Sequence, residues 1–166
     1  RIAVNLSAKQ FEMDNLVEII KEVLIENDME PQFLEVEITE SIAIKDINFT
    51  IKTLTQLNNM GVKVSLDDFG TGYSSLNYLK ILPIDILKID KAFLDNVGRS
   101  SKEKAIARTI ITLAHDMDLT VIAEGVETKE QLEFLIENNC DKAQGYLFSK
   151  PLPAEELENL LELKAR

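Results

Sequence analysis

The chain reads Val62-Lys63-Val64-Ser65-Leu66-Asp67-Asp68-Phe69-Gly70 at the point that decides its fold: a strand-like run ends in two adjacent carboxylates. Side chains alternate along a strand, so Asp67 and Asp68 are expected to point in different directions, one toward a metal ion inside a barrel mouth and the other toward a second metal ion or a water. The loop that continues to Leu76 is rich in glycine and hydroxyl side chains, and glycine allows a close backbone approach to a ligand. A lone Asp-Asp-x-Gly is more often a solvated acidic turn. Whether this stretch is a metal-binding strand end or an acidic turn therefore depends on the rest of the chain.

The pattern of a strand followed by a helix recurs along the whole chain. Strand-like runs alternate with stretches of helical periodicity, which predicts a parallel sheet with helical crossovers. The predicted strands are Ile2–Leu6, Leu34–Ile38, Val62–Leu66, Asp85–Ile89, Thr120–Ala123 and Lys142–Leu147.

Capping residues mark the ends of several predicted helices. Asp46 and Gly61 enclose one apolar stripe as N-cap and C-cap. The spacing of Ser100 with Glu103 and of Thr128 with Gln131 predicts two capping boxes. These signals indicate one continuous α/β domain without a linker.

Each predicted strand carries a polar residue at or near its C-terminal end, and this regularity selects between two α/β architectures. The strand-end residues are Asn5, Glu37, Asp67, Lys88, Glu124 and Gln144. A doubly wound sheet draws its site from the strands near one switch point, whereas a TIM-type (β/α) barrel brings many strand ends to one mouth. A full barrel has eight strands in about 250 residues. We therefore expect residues 1–166 to form about six of eight strand–helix units, the C-terminal three-quarters of one barrel, with two units upstream of Arg1.

The strand-end residues have the chemistry of a metal-assisted hydrolase. The oxygen ligands suit Mg²⁺ or Mn²⁺, and two such ions can clamp a phosphodiester and activate a water. Lys88 adds a positive charge near developing negative charge, or orients the water, and Glu124 is a candidate proton acceptor or metal ligand. The candidate ligands that supply only oxygen are Asn5, Glu37, Asp67 and Asp68.

Composition excludes several classes of partner. The chain has 166 residues and a formal net charge of −11, which disfavours a nucleic-acid polymer or an anionic membrane surface as the partner. Cys140 is the only cysteine, so no disulfide can form within the chain, and this fits a cytoplasmic compartment. No apolar run is long enough to span a bilayer, so we expect no direct membrane contact in this segment, although other domains could tether a longer protein to the inner face of a membrane.

Six motifs follow one another along the chain: Val4-Asn5-Leu6-Ser7, Glu35-Val36-Glu37-Ile38-Thr39-Glu40-Ser41, Asp67 to Leu76, Leu87-Lys88-Ile89-Asp90, Ala123-Glu124-Gly125-Val126-Glu127 and Gln144-Gly145-Tyr146-Leu147-Phe148-Ser149-Lys150-Pro151. In these motifs the chain resembles the EAL domain family, the cyclic di-GMP phosphodiesterases of bacterial signalling. The resemblance covers nearly the whole chain and implies hydrolysis of cyclic di-GMP to linear pGpG with Mg²⁺ or Mn²⁺. It implies that Lys88 orients the attacking water, that Gln144 helps to hold the water or substrate, and that Glu40 anchors the loop after Asp68. It further implies that Glu124 is catalytic or linked to the metal, and that Asp68 lies at both the catalytic and the metal positions.

One departure from the family limits the expected activity. No Glu-Ala-Leu occurs in the chain, and the arginine that the family places near it to contact a phosphate is missing too. Because the other motifs match, we interpret this as N-terminal truncation, with an active parent domain and a weak or inactive fragment. We also expect a homodimer with swapped or rearranged segments, since open sheet edges invite pairing. The alternatives are a cyclic di-GMP receptor without catalysis and a partner-binding module.

Overall fold

The computed structural model describes residues 1–70, 76–95, 97 and 100–164. Within them lies one sheet of six strands, paired side by side in chain order, and all the pairings are parallel. Residues 71–75 of the predicted loop after Asp68 lie outside the described residues. The strands are β1 (Ile2–Asn5), β2 (Leu34–Thr39), β3 (Lys63–Phe69), β4 (Ile86–Ile89), β5 (Thr120–Ala123) and β6 (Lys142–Ala143).

Helices connect successive strands and follow the last one. This arrangement confirms the predicted fold, a TIM-type (β/α) barrel that is incomplete, with six of its eight strands. Short 3₁₀ helices precede β2 (Pro31–Phe33) and follow β4 (Lys91–Phe93). The α-helices are α1 (Ala8–Phe11), α2 (Leu16–Glu26), α3 (Glu40–Lys45), α4 (Ile47–Met60), α5 (Leu76–Leu79), α6 (Ser101–Asp116), α7 (Lys129–Glu137) and α8 (Ala154–Lys164).

The two faces of the sheet have different chemistry. One face is apolar, fully buried and packed in a common core with helix residues such as Leu54, Ile111 and Leu135. Its members are Val36, Ile38, Val64, Leu66, Leu87, Ile89, Val121 and Ala123. The opposite face, which would line the barrel interior, carries buried polar residues, namely Glu35, Glu37, Ser65 and Lys88. Burial of the apolar face contributes hydrophobic free energy to folding, and the polar face supplies side chains for a candidate site.

The predicted capping residues lie at the ends of α4, α6 and α7, with a full capping box on α7 and the N-cap bond of the predicted box on α6. Asp46 accepts a hydrogen bond from the Phe49 N–H at the start of α4, and Gly61 ends that helix with a φ of 96°. Thr128 and Gln131 form both bonds of a capping box on α7, and the Ser100 hydroxyl accepts from the N–H at position 103. A further capping box at the start of α1, between Ser7 and Gln10, was not predicted.

Most strand boundaries lie within one residue of the predictions, but the ends of β3 and β6 differ by more, and each has a local cause. The sixth strand ends at Ala143 rather than Leu147, because the chain turns at Gly145 and its backbone bonds instead to that of Val126. A Cβ on Gly145 would lie 2.2 Å from the Val126 carbonyl oxygen, so only glycine permits this approach. The third strand extends beyond Leu66 to Phe69 and carries both aspartates within it.

The extension of β3 includes an irregularity at the aspartates. The register with β4 shifts between Leu66 and Phe69, and Asp68 has a φ of 56°, in the left-handed region. The Asp68 N–H donates to the Asp67 carboxylate at 3.0 Å. The simple alternation on which the expected divergence of the two side chains rested is therefore absent here.

Candidate functional site

The ammonium of Lys88 lies at the centre of the polar strand ends. Its Nζ atom is 2.7 Å from Glu37 Oε2, 2.7 Å from Glu124 Oε1 and 3.5 Å from Asp67 Oδ1. Lys88 is only 4% exposed and Glu37 7%, so the pair is shielded from solvent. Residues from four successive βα units thus meet at one point, as the sequence predicted for a barrel mouth.

Strand register explains why these side chains meet. In a parallel sheet, residues paired in register project to the same face. Glu37 pairs with Asn5 on one side and with Ser65 on the other, and Asp67 follows Ser65 by two residues on the same face. Lys88 projects from β4 next to β3, and Glu124 directly follows β5, its N–H bonded to the Ile89 carbonyl. The regular pairing of β1 with β2, of β2 with β3 and of β4 with β5 thus brings these side chains to one end of the sheet.

The charges at this centre are unequal, and the pKa values reflect it. Burial alone would lower the pKa of the Lys88 ammonium, but hydrogen bonds to Glu124 and Glu37 outweigh burial and hold the pKa above its ordinary value. Burial raises the pKa of the Glu124 carboxyl, and the hydrogen bond from Lys88 offsets only part of that rise. Lys88 therefore stays charged, and Glu124 is more easily protonated than an ordinary glutamate.

Asp68 shares the same electrostatic environment as Asp67. Partial desolvation raises the pKa of Asp68, and the neighbouring carboxylates of Asp67 and Asp90 raise it further. Lys88 acts on it in the opposite sense. Both aspartates therefore lie close enough to Lys88 to interact with its charge.

The structure places the other predicted site residues at the same end of the sheet with less direct contact. Asn5 ends β1 in register with Glu37, and Gln144 follows β6, with its backbone bonded to Ala123 and Val126. Glu40 begins α3 and accepts from the Gly70 N–H at 3.4 Å, where the loop after Asp68 begins. No metal or catalytic role follows from these placements alone.

Sequence reasoning missed two features of the site. Ser65 is fully buried, and among the described residues its hydroxyl has no hydrogen-bond partner. Asp90 follows β4 and contributes to the field on Asp68. The signal for Asp90 was its place directly after a strand, the criterion that identified the other acids.

The donor chemistry fits a divalent cation. One ammonium faces three carboxylates, which leaves an excess of negative charge and a set of hard oxygen donors of the kind that Mg²⁺ and Mn²⁺ prefer. Across the described ranges, no three acidic, histidine or cysteine side chains already converge as a metal site. The carboxylates are instead gathered around Lys88.

Comparison with known proteins agrees with this architecture. The EAL domain family matches residues 1–151. The cyclic di-GMP phosphodiesterase NbdA of Pseudomonas aeruginosa is 46% identical over 161 residues, which cover 97% of this chain and 21% of that protein. The chain thus spans about a fifth of the length of this curated relative.

Two solved structures carry the same fold. The MucR phosphodiesterase of Pseudomonas aeruginosa, solved as a c-di-GMP complex, superposes with a TM-score of 0.89 at 46% identity, covering 95% of this chain and 64% of that one. BlrP1 of Klebsiella pneumoniae, solved as a complex with manganese and cyclic di-GMP, gives a TM-score of 0.84 at 31% identity, covering 91% of this chain and 39% of that one. From the family match and these likenesses, the chain belongs to the EAL domain family.

Proposed function

We propose that the domain to which this chain contributes hydrolyses cyclic di-GMP to linear pGpG. The observation that carries the proposal is the buried Lys88 ammonium, held at 2.7 Å by both Glu37 and Glu124 in the mouth of the barrel. Related proteins are named as cyclic di-GMP phosphodiesterases, and a related structure holds that nucleotide. Residues 1–166 are proposed to be the C-terminal three-quarters of a single EAL-type barrel.

The proposed reaction is the attack of a water on one phosphorus of the cyclic dinucleotide. A water oxygen–phosphorus bond forms, one phosphorus–ribose oxygen bond breaks, and the product is a linear dinucleotide with a terminal phosphate. Lys88 orients the water and stabilises negative charge on the phosphate, and Glu124 accepts the proton of the water. Its raised pKa suits that role, because a base titrating closer to neutrality transfers protons more effectively. Gln144 is proposed to help hold the water or the substrate.

Mg²⁺ or Mn²⁺ is the proposed cofactor. The proposed ligands are Asn5, Glu37, Asp67, Asp68 and Glu124, and Glu40 is proposed to anchor the neighbouring loop through Gly70. A bound cation would supply Lewis-acid stabilisation of the phosphate and activation of the water. The presence of manganese in the BlrP1 structure supports this choice.

The deciding experiment compares hydrolysis of cyclic di-GMP by the full-length protein and its Asp67→Asn form, with Mg²⁺ or Mn²⁺. We expect turnover in the former and a loss of at least a hundredfold in kcat in the latter. Asp85→Asn is the matched control, because Asp85 lies at the opposite end of the sheet, where it accepts from the Val64 N–H. Binding without turnover in the full-length protein would support a receptor without catalysis, and no binding would favour a partner-binding module.

We also propose that the chain forms a homodimer, with swapped or rearranged segments. β1 and β6 are the edges of the described sheet, and Ile2 and Val4 on β1 are 63% and 45% exposed. Light scattering on the purified chain tests this: a dimer mass is expected, and a monomer at micromolar concentration would contradict it.

Among the described residues, every helix is too short or too polar to span a bilayer. We propose a cytoplasmic location, where a longer protein could be tethered to the inner face of the membrane by its other domains.

A further inference from the structure

The position of Glu124 depends on the segment that follows it. Its N–H makes the last bond to β4, and the chain then turns at Gly125, where φ is 64°. Carbons of the Lys91 side chain lie 2.6 to 2.8 Å from where a Cβ on Gly125 would stand. The direction of the Glu124 side chain is therefore set by how residues 125–128 are held against the loop after β4.

Gln131 holds that segment from within. It is only 6% exposed, and its Oε1 atom accepts from the Glu127 N–H at 2.7 Å and from the Thr128 N–H at 2.9 Å. Its Nε2 atom donates to the carbonyl oxygen of Leu94 at 3.2 Å. Leu94 ends the 3₁₀ helix that follows β4, the strand that carries Lys88.

One buried amide therefore links the segment that follows β4, the strand of Lys88, to the segment that follows Glu124. A second link lies at the surface, where Lys91 pairs with Glu127 at 2.5 Å, but both side chains are nearly half exposed and such pairs contribute little. Buried polar groups that are fully hydrogen-bonded fix geometry more strongly, because losing one bond leaves a buried group unsatisfied.

We propose that Gln131 is a positioning residue for hydrolysis: through Leu94 it sets the distance between the Glu124 carboxylate and the Lys88 ammonium. This inference rests on the proposed function. Within the capping box the Gln131 side chain uses only Oε1, so the Nε2 bond to Leu94 is additional to the helix cap. In the capping box at the start of α1, Gln10 is exposed and bonds to Ser7 of the same turn.

The test separates the helix cap from the link between loops. Gln131→Glu keeps an acceptor for both N–H groups and the residue type preferred in a capping box, but it removes the donor to Leu94. We expect kcat for cyclic di-GMP to fall about tenfold or more, with KM within about twofold, because a small misplacement of catalytic groups acts on the chemical step.

A matched control removes another hydrogen bond of the α7 region, far from the mouth. Arg108 on α6 donates to Asn138, which directly follows α7, at 2.9 Å. Asn138→Ala should leave kcat unchanged when each protein is assayed at the same number of degrees below its own melting temperature. Wild-type kcat in Gln131→Glu would overturn the proposal, as would an equal loss in Asn138→Ala.

A second measurement does not depend on turnover or on the variant folding. The side-chain amide protons of Gln131 in the wild-type protein should exchange slowly with solvent, because they are buried and bonded to Leu94. Rapid exchange would overturn the link even if hydrolysis is observed. Slow exchange in a protein that does not hydrolyse cyclic di-GMP would instead mean that the proposed function has failed while the link remains.

Discussion

Replacing Lys88 by methionine tests the electrostatic account of the site. Lys88→Met keeps most of the side-chain volume and removes the charge that faces Glu37, Glu124 and Asp67 at 2.7, 2.7 and 3.5 Å. Removing one partner of a buried ion pair costs about 3–5 kcal/mol, because the remaining charges are left buried without compensation. With a urea m-value of about 2 kcal/mol/M, the unfolding midpoint should fall by roughly 2 M.

Lys63→Met is the matched control for that measurement. Lys63 pairs with Asp85 at 2.6 Å, but its side chain is 40% exposed, and a pair of this kind contributes about 0–1 kcal/mol. Both variants would be unfolded in urea at pH 7 with a chelator present, so that no divalent cation substitutes for the ammonium. The double variant Lys88→Met with Glu37→Gln should recover part of the loss, since one of the uncompensated charges is also removed. A midpoint shift for Lys88→Met no larger than that for Lys63→Met would refute the reasoning.

Three other predictions concern residues that flank β6. Burial raises the pKa of the Cys140 thiol to about 11, so its alkylation by iodoacetamide at pH 8 should be about two hundredfold slower than that of a free thiol and should accelerate up to pH 10. Although burial opposes it, hydrogen bonds from the Val121 N–H and from His115 hold the pKa of Asp141 below its ordinary value. That stability is present above the unfolded pKa and is lost as the pH falls through the folded one, so the deficit of Asp141→Asn in urea unfolding should be larger at pH 7 than at pH 3. Gly145→Ala should lower the free energy of unfolding by about 1–3 kcal/mol in thermal melts, because its Cβ would meet a backbone carbonyl oxygen at 2.2 Å.

The sequence predicted the parts of the fold that rest on local pattern. Thr120–Ala123 was predicted with its observed bounds, because the run is short, β-branched and followed at once by a polar residue. Asp46 and Gly61 were predicted as caps because each carries its own chemistry. Order along the sheet also followed, since each strand pairs with the next in the chain.

What the sequence could not predict depends on contacts between distant segments. Tyr146 to Phe148 have strand-like composition, but the close approach of Gly145 to Val126 ends β6 early. The irregular register at Asp68 needs the pairing of β3 with β4, which no local pattern contains. The strand ends predicted that Lys88 would gather with the carboxylates, but not that its ammonium would pair directly with Glu37 and Glu124.

The contacts of Lys88 also have a consequence for the rate at which the domain folds and unfolds. Its partners lie 51 residues away at Glu37, and 36 and 21 residues away at Glu124 and Asp67. Contacts between such distant segments cost loop-closure entropy and form late. We therefore expect the ion cluster to be absent from the folding transition state, so that Lys88→Met accelerates unfolding and leaves the folding rate nearly unchanged. The ion cluster would then contribute to kinetic stability, because it raises the barrier to unfolding of a barrel that has already assembled.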